Sequence, residues 1–189
     1  HLWWMLRWLG HDRVCVLDGG WAAWLQAGGP VQTDIRQPNI TEAQAVQDIG
    51  SPAAPAMATV DADSVLANIS TLVYTVLDAR SPERYRGEVE PMDPVAGHIP
   101  GALNRPSGQN VQPDGRFKPA EVLRREFDDL LQGVSPGDVV HQCGSGITAC
   151  HNLFAMELAG LQGSSLFPGS WSEWCSDSSR PVATLNSNA

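Results

Sequence analysis

Basic residues are scarce in this chain of 189 residues: 12 Lys and Arg stand against 21 Asp and Glu, a formal charge of −9. That balance argues against nucleic acid and against an anionic membrane surface, since either would require clustered cations. Long apolar runs are missing too. None reaches the roughly 18 residues of a membrane span, and residues 1–10 lack the basic start and small-residue cleavage site of a secretory signal. Cysteine occurs four times, at 15, 143, 150 and 175, in a pattern that gives neither a metal-ligand spacing nor a disulfide framework. Cys150-His151 has no convergent ligands to make a zinc site. A reducing, cytoplasmic setting is the default, with no metal expected. Charge of one sign is in excess, but 42% hydrophobic residues suffice for a packed core.

The most informative stretch present is Val139-Val140-His141-Gln142-Cys143-Gly144-Ser145-Gly146-Ile147-Thr148-Ala149. Its apolar start reads as a buried strand, and residues 149–161 carry Leu153, Met156, Leu158 and Leu161 at helical spacing. Cys143 therefore falls in a glycine-rich turn between strand and helix. Gly144 and Gly146 allow backbone angles closed to other residues, so successive N–H groups can curl into an anion site reinforced by the helix dipole. Such surroundings lower a thiol pKa from about 8.5 into the range of about 3.5 to 7.5. A nucleophilic thiolate is the reading; a buried, inert cysteine is the alternative. A cysteine phosphatase would need an arginine to grip the phosphoryl oxygens, and the position it would take is Ala149.

The loop Cys-Gly-Ser-Gly-Ile-Thr resembles the active-site loop of the rhodanese-like sulfurtransferases, in particular the 3-mercaptopyruvate type. Thiosulfate-type relatives usually have basic residues at the positions of Gly144 and Ser145. The resemblance extends to Asp78-Ala79-Arg80, Arg84-Tyr85-Arg86-Gly87, residues 97–102 (Gly-His-Ile-Pro-Gly-Ala) and residues 169–174 (Gly-Ser-Trp-Ser-Glu-Trp). It implies an α/β fold with a mainly parallel central sheet and helices on both faces. It also implies that a Cys143 persulfide carries sulfur from a small anionic donor to cyanide or a thiol acceptor such as a thioredoxin-like protein, with no cofactor. Cys143 and Ser145 are then the catalytic candidates, and Arg84, Gly144, Gly146, Ile147 and Thr148 the substrate-binding ones. Ser145 can bond the donor carbonyl or relay a proton, or merely close a turn; Thr148 reads as a helix cap. The relatives have a second arginine after the Glu-Pro pair, where this chain has Met92. That departure leaves thiosulfate open as donor, with Arg105 as a candidate to approach the site. A non-catalytic sulfur carrier or interaction module is the alternative outside enzymology.

A second signal is internal. An offset of 150 places His1 on His151, Gly10 on Gly160, Gly19 on Gly169, Trp21 on Trp171 and Trp24 on Trp174 without a gap. Residues 1–34 thus read as the C-terminal remnant of a first copy, 35–58 as a linker rich in Gly, Pro, Gln and Ala, and 59–185 as the catalytic copy. On this reading a portion of the N-terminal domain is a missing partner, and Trp3, Trp4 and Trp8 need cover.

Along the chain, 13–17 is expected as a strand, 20–26 as a helix, 61–68 as a capped helix and 73–77 as a strand. A short helix is expected from Pro82, and 121–131 as an amphipathic helix burying Val122, Leu123, Phe127, Leu130 and Leu131. Arg80 can pair with Asp78, and Arg86 with Glu88 or Glu90. His98 belongs to a structural turn or serves as a base. His141 either charges beside Cys143 or lies inert in its strand. Cys150, seven residues after Cys143, reads as a buried apolar cysteine, with a resolving thiol as the alternative.

Overall fold

Short apolar runs rich in β-branched residues build the centre of the molecule, because a strand covered on both faces needs apolar side chains on each. The computed structural model describes residues 1–34 and 56–185. Its sheet contains β1 (Thr75–Asp78), β2 (Leu103–Asn104), β3 (Val139–Gln142) and β4 (Ser165–Leu166), all parallel, in the order β2-β1-β3-β4. β1 and β3 pair from Thr75–Val139 to Asp78–Gln142, so Asp78 and Cys143 leave the same edge of the sheet. Ligands of parallel sheets gather at that edge.

Helices cover both faces. On one, α3 (Ala62–Thr71) and α7 (Ser170–Ser176) enclose Val76, Val140, Ile99, Phe167, Trp171 and Trp174. On the other, α5 (Ala120–Leu131) and α6 (Ala149–Leu158) pack Leu123, Phe127 and Leu131 against Leu77, Val139 and Met156. The 3.6-residue period explains why α5 buries those three side chains while Val122 and Leu130 are only half-covered. Leu158, read as a core position, is 41% exposed. It lies off the face of the chain that buries Met156, Ala159 and Leu161. Asp61 caps α3 by accepting the Ser64 N–H at 2.8 Å. A short helix, α4 (Pro82–Arg86), follows β1 and stops at Gly87, whose φ of 82° lies in the left-handed region.

The opening residues form α1 (Leu2–Trp8) and α2 (Gly20–Gln26). At the offset of 150, α2 falls on α7 end for end, and α1 ends where α6 ends. Their exits match as well. Gly10 N–H donates to Arg7 and His11 N–H to Leu6, as Gly160 donates to Glu157 and Leu161 to Met156. Trp4 is buried against Ala149, Cys150 and Leu153, and Trp3 meets the Phe154 ring edge-on at 4.8 Å. Trp8 is half-covered. The tryptophans thus find cover on α6. Residues 13–17, expected as a strand, form none. A strand requires a neighbouring strand to take its backbone hydrogen bonds, and here the segment joins no ladder. Most of the proposed linker, 35–55, lies outside the described residues.

Candidate active site

The turn between β3 and α6 is built around one glycine. Gly146 has φ +77°, and a Cβ there would stand 2.4 Å from the Pro168 carbonyl oxygen. Both the backbone angle and the close approach therefore demand glycine. Gly144, expected to need the same freedom, does not. It stays outside the left-handed region, and a Cβ would meet only Arg84 Nη1 at 3.6 Å. Its small size keeps the cavity open instead.

Cys143 is buried at the base of this turn. Its own N–H donates to Ser170 Oγ at 3.1 Å, its carbonyl accepts from Trp171 N–H at 3.0 Å, and the Gly144 carbonyl accepts from Ser172 N–H at 2.9 Å. Three bonds with the first turn of α7 thus fix the backbone of Cys143 and Gly144. Among the described residues, the backbone N–H groups of Gly144, Ser145, Gly146, Ile147 and Thr148 donate to no protein acceptor. Unpaired donors on successive residues form a concave site for an anion. Thr148 holds the N-cap position of α6, but its side chain makes no capping bond.

A cavity of about 420 Å³ opens over the turn, bringing together Cys143, Gly144, Ser145, Ile147, Thr148 and Arg84. Gly146 lies behind it. Arg84 is not a free cation. Its Nε and Nη2 bond Glu90 at 3.1 and 2.5 Å, and Nη2 also reaches Asp93 at 3.2 Å, while Nη1 has no protein hydrogen bond among the described residues. Burial works against charge on Glu90, but hydrogen bonds from Arg84, Met92 N–H and Asp93 N–H outweigh it and hold its carboxyl below the usual range. Asp93 in turn accepts from Ser172 Oγ at 2.7 Å. Met92, 80% exposed, lines the mouth without adding charge.

The other candidates separate cleanly. Arg80 pairs with Asp78 at 2.7 Å and with Glu90 at 3.3 Å, buried below Arg84. Arg86 takes Glu88, and Glu90 belongs to the site. Arg105 turns away from the cavity to Asn110 and Glu126 over the Phe127 ring. His98 is buried, its Nδ1 at 2.7 Å from the Tyr85 carbonyl, and burial lowers its pKa. His141 is fully buried with Nε2 on Ser164 Oγ, and burial takes its pKa down to about 3. A neutral ring adds no charge beside Cys143. Burial raises the Cys150 thiol to about 11, and its Sγ lies 3.4 Å from the Gly146 carbonyl. That leaves it a poor nucleophile.

Three groups at this site escaped the reading of the sequence. Asp93 carried no signal beyond lying near the Glu-Pro pair. Ser170 and Ser172 stood inside a recognised segment, yet nothing local says that their hydroxyls reach Cys143 and Asp93.

Residues 61–177 match the family model described as "Rhodanese-like domain". A Pseudomonas aeruginosa protein named "Probable 3-mercaptopyruvate sulfurtransferase" is 47% identical over 183 residues, 96% of this chain and 62% of that protein. A Mycobacterium tuberculosis protein, named as a candidate thiosulfate sulfurtransferase, is 43% identical over 181 residues, 95% of this chain and 61% of its own length. Among solved structures, the anaerobic ergothioneine biosynthesis enzyme of Chlorobium limicola with trimethyl histidine has a TM-score of 0.80 at 26% identity. That match covers 97% of this chain and 44% of the enzyme. The chain therefore spans less than two thirds of the relatives it matches.

Proposed function

The chain belongs to the rhodanese-like domain family, and on that premise we propose that it is a sulfurtransferase with Cys143 as nucleophile. The observation that carries the reading is the run of N–H groups from Gly144 to Thr148 that find no protein acceptor among the described residues, in the turn under a cavity shared by Cys143 and Arg84. With 3-mercaptopyruvate, the Cys143 thiolate attacks the donor thiol sulfur. An S–S bond forms, the C–S bond breaks, and its electron pair leaves as the enolate of pyruvate. The enolate takes the proton of the new persulfide, and the persulfide anion is held by the loop N–H groups. Ser145 lines the cavity with its hydroxyl uncommitted, so it can carry that proton or bond the donor carbonyl. Cyanide or a thiol, such as that of a thioredoxin-like protein, then takes the outer sulfur and returns the thiolate.

The neutral Gly-Ser-Gly turn favours 3-mercaptopyruvate over thiosulfate, because of the two guanidiniums at the cavity Arg80 is spent on Asp78 and Glu90, which leaves Arg84 as the cation a donor can reach. The repeat offset, with α2 on α7, supports reading residues 1–34 as the closing part of a first copy and 59–185 as the catalytic copy. Four unpaired cysteines suit a reducing, cytoplasmic setting. No helix among the described residues is long and apolar enough to cross a membrane.

Incubation with donor is expected to add one sulfur, about 32 Da, to Cys143, and subsequent cyanide to remove it as thiocyanate. Cys143→Ser has to abolish both. Mass gain without release to cyanide would leave a sulfur carrier, and no mass gain with either donor would end the sulfur-transfer reading.

A further inference from the structure

We propose that Asp93 sets donor selectivity by charge, so that the cavity admits anions carrying one negative charge and resists those carrying two. The inference rests on reading the cavity as the donor site. Around it, the guanidiniums of Arg80 and Arg84 face the three carboxylates of Asp78, Glu90 and Asp93, linked as one ion-pair network. Arg80 is consumed inside that network, its side chain 1% exposed. Glu90 is equally buried and braces the loop by accepting from Met92 and Asp93 N–H.

Asp93 is different. It lines the cavity, its contact with Arg84 is the longer one at 3.2 Å, and Ser172 Oγ holds its other oxygen at 2.7 Å. Ser172 also bonds the Gly144 carbonyl through its N–H, so the carboxylate is anchored to the nucleophile's own loop. A donor reaching Arg84 Nη1 and the loop N–H groups must accept a fixed negative charge beside it. Coulomb repulsion scales with the product of charges, so whatever factor Asp93 costs a monoanion, it costs a dianion of the same shape that factor squared. 3-Mercaptopyruvate carries one charge and thiosulfate two.

The test is protection of Cys143 from iodoacetamide by methanesulfonate and by sulfate, a matched pair with one and two charges, at constant ionic strength. Alkylation needs no turnover, so this result and the mass gain on Cys143 can fail independently. Asp93→Asn keeps an acceptor for Ser172 and removes the charge. It is expected to tighten methanesulfonate protection about fivefold and sulfate about 25-fold. Met92→Arg, on an exposed side chain at the same mouth, has to move both constants in the same direction, sulfate again more. Equal factors for the two anions, or no change in either variant, would overturn the proposal.

Discussion

Helices α2 and α7 start and stop at matched positions, yet their tryptophans meet opposite fates. Trp171 is fully buried, with Nε1 donating to the Val95 carbonyl at 2.9 Å and the Arg80 guanidinium 4.6 Å above its ring, whereas Trp21 is 60% exposed. The second pair diverges less. Trp174 donates to the Pro181 carbonyl from full burial, and Trp24 donates to the Pro30 carbonyl from half-burial. A glycine turn followed by aromatic residues at helical spacing is enough to form the local helix. Whether that helix contributes to stability depends on what lies under it.

The strongest way to break the comparison is to truncate the two matched tryptophans in turn. Trp171→Ala removes a fully buried ring, leaves the Val95 carbonyl without its donor and strips the cover from Arg80. A loss of about 3–5 kcal/mol in urea unfolding is expected. Trp21→Ala should stay within about 0.5 kcal/mol. Similar losses at both positions would mean that α2 is packed in solution far more tightly than its exposure indicates.

The same contrast explains what could be read from the residues beforehand. Period and punctuation are local, so the parallel α/β class, the capped α3, the stripe of α5 and the strand-turn-helix around Cys143 were all legible. The 13–17 segment, Arg-Val-Cys-Val-Leu, is more apolar than the matching 163–167, Gly-Ser-Ser-Leu-Phe, yet only the latter contains a strand, because strand formation depends on a partner strand, which a sequence window does not contain. The site divides in the same way. Cys143 and its turn are contiguous and were readable, while Asp93 and Ser172 meet from 79 residues apart. The direction of Arg105 stayed open in the sequence because a guanidinium turns to whichever carboxylate lies nearest in space, here Glu126.

Acid provides a second probe, and it reads the central sheet. His141, in β3, is held neutral by burial, which takes its pKa from the ordinary 6.5 down to about 3. Between those values the unfolded chain binds the extra proton, so stability is full above about pH 6.5 and falls as pH drops towards 3. The slope expected from one such group is about 1.4 kcal/mol per pH unit. His98 and His151, lowered mainly by burial, act with the same sign. The depressed carboxylates Glu90 and Glu126 join only below about pH 4.5. Urea unfolding measured from pH 7 to pH 5 should therefore show a declining midpoint that His141→Leu flattens. An unchanged slope in that variant would assign the acid sensitivity elsewhere.

The smallest expected effects sharpen the comparison most, because they exchange one residue between the two matched helices. Ser170 has φ +51° and the matching Gly20 has φ +59°. Left-handed backbone costs a non-glycine residue roughly 1–2 kcal/mol, so a serine there needs a reason. Its hydroxyl gives one, accepting the Cys143 N–H while donating to the Phe167 carbonyl at 2.9 Å. At Gly20 a Cβ would meet nothing within 4 Å, so an added hydroxyl gains no packing to offset the strain. Gly20→Ser should therefore lower stability by about 1 kcal/mol and leave Cys143 alkylation unaltered. Ser170→Gly relieves the same strain but leaves a buried N–H unpaired. Its net stability change should be small, while alkylation of Cys143 should speed up, because a loosened turn exposes a thiol that is otherwise buried. If Ser170→Gly left that rate in place, the hydroxyl would be a packing feature of α7, and the loop would hold its shape through the Trp171 and Ser172 N–H bonds alone.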